Sequence, residues 1–133
     1  MYFRENVSTG APWESQVGYA RAVRAGNVVA VSGTAPVTEQ GGLYAPGDAY
    51  AQATRCIEII ERALTEAGSG LRDVVRTRMY VTDIDRWEEI GRAHAEAFAD
   101  IRPATTMVEV ARLIEPGMLV EIEADAIIAD RDD

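Results

Sequence analysis

Seven residues near the C-terminal end, Val120-Glu121-Ile122-Glu123-Ala124-Asp125-Ala126, alternate apolar and acidic side chains without a break. Successive side chains on a strand point to opposite faces, so the pattern specifies a strand with one face in a core and three carboxylates on the other. A second stretch, Val28-Val29-Ala30-Val31, is apolar at consecutive positions, as in a strand covered on both sides. Together they demand a sheet, and at least one strand of it needs cover on its second face.

The remaining elements follow from periodicity. In the run from Arg102 to Leu113, Val108 and Val110 alternate with Glu109 and Ala111, and Glu115-Pro116-Gly117 suits a tight turn. The expectation is a β-hairpin joining this run to residues 120–126. Residues 19–24 and 28–32 form a strand pair around Ala25-Gly26-Asn27, with a short edge strand over 2–5 and a loop over 34–47. A helix is expected from an Asp48 cap to Gly68, burying Ala49, Ala53, Cys56, Ile57, Ile60, Leu64 and Ala67. In the strand over 74–81, Val74, Arg76, Arg78 and Tyr80 share one face, and Val75, Thr77, Met79 and Val81 share the other. Asp83 or Asp85 caps a second helix reaching Ala99, with Trp87, Ile90, His94 and Phe98 along one side.

The order β-β-β-α-β-α-β-β reads as one α+β domain over residues 1–133, with 1–17 irregular and 130–133 an acidic tail. It combines a mixed sheet of about six strands with two helices on one face. Two helices cannot cover both faces of such a sheet, so the open face calls for another protein surface. That is an argument for an oligomer.

Composition narrows the function classes. With 47% apolar and 26% charged residues, the chain has ordinary globular character. No apolar run approaches the roughly 20 residues a membrane-spanning helix needs. The opening Met1-Tyr2-Phe3-Arg4-Glu5-Asn6 lacks the layout of a signal peptide, and a single cysteine makes no internal disulfide. The expected setting is cytoplasmic, without a membrane partner. Net charge is −9 and all thirteen basic residues are arginine, with no basic run to hold phosphate backbones, so no nucleic-acid partner is expected. Without lysine there is no Schiff-base chemistry and no P-loop, and no cofactor is expected.

Few residues suit catalysis. His94 is the only histidine, and four-residue spacing from Ile90 and Phe98 makes it a hydrogen-bonded packing residue. Cys56 lies in the apolar stripe of the first helix as an inert thiol. No ligand spacing for a metal is present. The acids Glu121, Glu123 and Asp125 share a face with two readings open. They form a solvated face paired with Arg76 and Arg78, or a buried one in which a carboxyl is held ready for proton transfer.

The run from Arg102 to Leu113, with Leu119-Val120-Glu121-Ile122-Glu123-Ala124 after it, resembles the C-terminal signature of the RidA/YjgF family of imine and enamine deaminases. That signature reads P-A-R-[ST]-x-V-E-V-A-x-L, followed by [VI]-E-I-E-A. Gly18-Tyr19 with Gly26-Asn27 through Ser32-Gly33 resembles another family segment, and Asp73 through Asp83 a third. The resemblance covers nearly the whole chain after Val17. It implies the family's chorismate-mutase-like fold and a homotrimer with small-molecule clefts between subunits. It implies that Glu121 orients a water that attacks a C=N carbon, assisted by Tyr19, with ammonia released. Ser32, Gly33, Thr105, Thr106 and Met107 would line the cleft. The family's substrate-clamping arginine falls at Thr105, a group without charge, so ordinary 2-imino acids are expected to be poor substrates. Arg92 or Arg78 is the candidate replacement cation. The alternatives are a non-catalytic small-molecule sensor of the same fold and, more weakly, an endoribonuclease.

Overall fold

The computed structural model describes residues 3–129. Its one six-stranded mixed sheet contains β1 (Arg4–Val7), β2 (Ala22–Ala25), β3 (Val28–Thr34), β4 (Val74–Val81), β5 (Ala104–Glu109) and β6 (Val120–Ile127). The spatial order is β1-β2-β3-β6-β4-β5, antiparallel except where β5 runs parallel to β4. Helices α2 (Ala49–Glu66) and α3 (Trp87–Phe98) cover one face; a short α1 (Pro12–Val17) lies before β2.

Helix α2 forms where periodicity places it. Asp48 caps it, accepting from the Ala51 N–H at 2.9 Å. Gly68 follows the helix at φ +85, the left-handed conformation glycine tolerates best. Its stripe Ala49, Ala53, Cys56, Ile57, Ile60 and Leu64 is buried against Val29, Val31, Val120, Ile122, Ala124 and Ala126. Burying a side chain such as Ile60 or Leu64 stabilises the fold by roughly 1.5–3 kcal/mol. Before α3, Asp83 accepts from the Asp85 N–H at 3.0 Å and caps one turn of 3₁₀ helix. Ile90 and Phe98 are buried, whereas Trp87 in the first turn of α3 stays 55% exposed.

Three expectations need correction. The hairpin does not exist: β6 inserts between β3 and β4, and β5 lies beyond β4 at the sheet edge. The chain reaches β5 from β4 through α3, a parallel crossover, and residues 110–119 then step past β4. Central placement gives the acidic face of β6 its partners on β4, since Arg78 pairs with Glu123 (3.5 Å) and Asp125 (3.2 Å). The Tyr80 hydroxyl also donates to Glu123 at 2.7 Å. Second, an irregularity between Val74 and Arg76 buries Val74 and leaves Val75 45% exposed, opposite to strict alternation.

Third, the segment up to Val17 is not irregular, holding β1 and α1. Pro12 starts α1, and the Glu14 carboxylate ties it down by accepting from Ser8 Oγ (2.7 Å) and Thr9 Oγ1 (2.6 Å). Six residues held by polar contacts carry no apolar period to read. The open face that the sequence leads one to expect is present, since β3 is covered on one side only within the chain. Val29 and Val31 are buried, while Val28 is 45% exposed and faces away from the helices with Ala30. The acidic tail at 130–133 and the start of the expected edge strand at Tyr2 lie outside the described residues.

Candidate functional site

Beside the β3–β6 junction the fold leaves a cleft of about 870 Å³ that runs from Glu121 and Glu123 of β6 round to Arg55, Ile59 and Arg62 of α2. Its inner wall carries Tyr19, Arg21, Ser32, Gly33 and Glu121, and Trp13 and Val17 of α1 contribute apolar surface. The wall exists because β3 slips register. Val31 pairs with Ala124 and Thr34 with Ile122, so Ser32 and Gly33 together oppose one residue of β6.

At Gly33 a side chain is excluded by close approach. A Cβ there would stand 2.2 Å from Glu121 Oε2, so the glycine makes room for the carboxyl that crosses it. Glu121 is half-buried, and desolvation lifts its pKa above the usual carboxylate value. The field of Arg21 pulls the other way, and Glu123 adds to the rise. A carboxyl so placed exchanges protons more readily near neutral pH than a solvated one.

Arg21 organises the same wall. Its Nη1 donates to the Gly33 carbonyl at 2.6 Å and to Thr34 Oγ1 at 3.1 Å, and its Nη2 donates to the Tyr19 hydroxyl oxygen at 3.3 Å. The guanidinium also lies 5.5 Å from the Tyr19 ring centroid. Because arginine only donates, the Tyr19 oxygen must accept, which leaves its own O–H free to point elsewhere. The Ser32 hydroxyl donates to the Ala20 carbonyl at 2.7 Å, bracing the segment that carries Tyr19.

The other expected site residues lie apart. Arg92 stacks over the Tyr50 ring at 4.1 Å on the helical side, beside a Tyr50–Glu96 hydrogen bond. Thr105 turns toward α3: its hydroxyl meets Thr77 Oγ1 at 2.8 Å and donates to the Pro103 carbonyl at 3.2 Å. Thr77 Oγ1 in turn lies 2.8 Å from His94 Nε2. Met107 follows Thr105 on the helical side, whereas Thr106 pairs with Arg78 in register on the open side. Thr105 and Thr106 therefore cannot act on one ligand from one face of β5. None of Arg92, Thr105, Thr106 and Met107 lines the cleft with Glu121. Arg78 is engaged with Glu123 and Asp125.

The remaining candidates behave as packing residues. His94 stacks on Phe98 (centroids 4.6 Å apart), and burial lowers its pKa, favouring the neutral ring. Cys56 is buried and its thiol is pushed far up by desolvation, an inert state. Among the described residues no group of His, Cys, Asp and Glu could hold a metal ion. Arg21 is the residue that sequence reasoning missed. Its signal was the spacing from Tyr19, since residues two apart on an extended segment share a face.

The sequence model of the family Endoribonuclease L-PSP matches residues 9–128. The chain belongs to the RidA/YjgF family. A YjgF-family protein of Mycobacterium tuberculosis is 53% identical, and its crystal structure superposes with a TM-score of 0.87 over 95% of this chain and all of that one. The 3-aminoacrylate deaminase RutC of Acinetobacter baylyi is 36% identical over 108 residues, 81% of this chain and 85% of its own. Escherichia coli TdcF, solved with bound serine, is 29% identical with a TM-score of 0.76, covering 84% of this chain and 88% of that one. In this RidA/YjgF chain the family's C-terminal signature thus spans two strands that are not neighbours, β5 and β6.

Proposed function

We propose that this protein is a homotrimer that hydrolyses a reactive imine or enamine in clefts between subunits, releasing ammonia. The observation that carries the reading is the Glu121 carboxyl, lifted above its ordinary pKa and laid across Gly33 beside Tyr19. The similarity to a relative named as a 3-aminoacrylate deaminase supports it.

In the reaction Glu121 gives its proton to the C=N nitrogen, which makes the carbon more electrophilic. The resulting carboxylate orients a water and takes a proton from it as oxygen bonds to carbon. Glu121 then returns that proton to nitrogen, the C–N bond breaks as the hydroxyl oxygen forms the C=O bond, and the hydroxyl proton passes back to the Glu121 carboxylate, leaving a carbonyl compound and ammonia. Tyr19, its oxygen already accepting from Arg21, donates its O–H to the substrate. Arg92, Thr105 and Met107 belong to the site only if a neighbouring subunit brings its β5 edge to this cleft. Even then the Thr105 hydroxyl is engaged with Thr77 and Pro103 and supplies no charge, so position 105 cannot clamp the carboxylate of a 2-imino acid as the family arginine does.

The test generates 2-imino acids in situ with an amino-acid oxidase, supplies enamines in parallel, and follows ammonia release. Wild-type protein should accelerate release from an enamine while handling 2-imino acids poorly. Glu121→Gln should lose about 10²–10⁴-fold of that acceleration, the usual contribution of positioned proton transfer. Ammonia release at the uncatalysed rate from every compound would instead favour the second reading, a small-molecule sensor. That alternative draws on the same engaged Thr105 hydroxyl.

A further inference from the structure

Arg21 has a charge that its contacts do not explain. It is only 6% exposed, and the three acceptors it meets, Gly33 O, Thr34 Oγ1 and the Tyr19 hydroxyl, are all neutral. Buried cations are ordinarily paired, because desolvation without a counter-charge is strongly unfavourable. Among the described residues, ion pairs are made by Arg55, Arg62, Arg78 and Arg86, and none by Arg21. Glu14 and Glu121 lie within its field without closing a pair. Glu14 spends its oxygens on Ser8 and Thr9. A guanidinium has five N–H donors, so two remain after these three bonds. The residue lines the cleft rather than the core.

We propose that Arg21 is the anion anchor of the cleft, and that the ligand carries a carboxylate bound by this guanidinium on the wall that also bears Tyr19 and Glu121. The cation absent from position 105 is thereby supplied from a different element and direction. The idea rests on the reading above for the location of the ligand, not for turnover.

The experiment uses crotonate and crotonamide, planar isosteres that differ in charge, titrated into the full chain and followed by amide chemical shifts. Wild-type protein should bind crotonate, shifting Tyr19, Ser32 and Gly33, with crotonamide at least tenfold weaker. Arg21→Gln should weaken crotonate at least tenfold, Arg21→Lys should retain part of the affinity, and Arg55→Gln and Arg62→Gln should retain all of it. Equal affinity for the two compounds, no crotonate binding by the wild type, or full binding by a folded Arg21→Gln would overturn the proposal. Should Arg21→Gln not fold, loss of crotonate binding in Arg55→Gln or Arg62→Gln would overturn it instead. Crotonate bound through Arg21 with no ammonia released from any imine would sink the hydrolytic reading alone.

Discussion

At Gly33 the backbone and a catalytic candidate compete for the same space. The residue does not adopt a left-handed φ, so alanine is conformationally allowed, yet its methyl would meet the Glu121 carboxyl. The obstructing atom is the end of a flexible side chain, so the carboxyl moves and the fold stays. Gly33→Ala should therefore change stability by less than about 1 kcal/mol while displacing Glu121 and removing most ammonia release. Paired melting curves and rates check this. The raised pKa of Glu121 predicts a pH effect of definite sign. Between the ordinary value of 4.5 and the folded value, the native state binds more protons than the unfolded chain, so this group's contribution falls as pH rises. Glu121→Gln removes that dependence. Its melting temperature relative to wild type should climb from pH 4.5 upward and level off above the folded pKa. Glu121 was legible because the family motif marks it. Arg21 was overlooked: its two-residue spacing from Tyr19 puts the two on one face, but only the folded wall shows its burial.

Among the elements, local pattern fixed what the longer segments are, but not who neighbours whom. The alternation over 120–126 identifies β6 and its buried face correctly, yet is equally compatible with an edge hairpin and a central strand. Long-range pairing decides between them, through the charges of β4 and the covering face of α2. The link from α2 to the crossover after β5 is polar and was invisible in the periodic stripe. Gln52 is fully buried, accepts from the Leu119 N–H at 2.8 Å, and donates to the carbonyls of Gly117 (3.1 Å) and Ala45 (3.3 Å). One amide thus secures the loop that delivers the chain to β6. Gln52→Leu keeps the volume but leaves these backbone groups without partners, at a cost of about 1–3 kcal/mol. Urea unfolding should show the loss as a lower midpoint with unchanged slope.

For the whole molecule, the sheet face that the helices leave uncovered is the informative one. Val28 and Ile127 pair in register and remain 45% and 47% exposed on the face without α2 and α3, with Ala30 beside them. Tyr19, Ser32, Gly33 and Glu121 line the cleft beside β3 and β6, whereas Met107 and Arg92 stand toward the other end of the sheet, on the helical side. The sequence named members of both sets but could not tell that one chain keeps them apart, because separation depends on strand order. A trimer in which the β5 edge of one copy closes the cleft of the next reunites them. Light scattering on the purified protein should give three times the 14.5 kDa chain mass. Val28→Glu, which buries a charge in the proposed contact, should shift that mass toward monomer. Mixing supplies the sharper test of a shared site. Glu121→Gln and Met107→Trp each disable a different wall. If every cleft takes one wall from each of two copies, mixed trimers re-formed from the two variants contain some clefts with both walls intact. Ammonia release should then recover to a fraction of wild type, and its absence in verified mixed trimers would place the whole site within one chain.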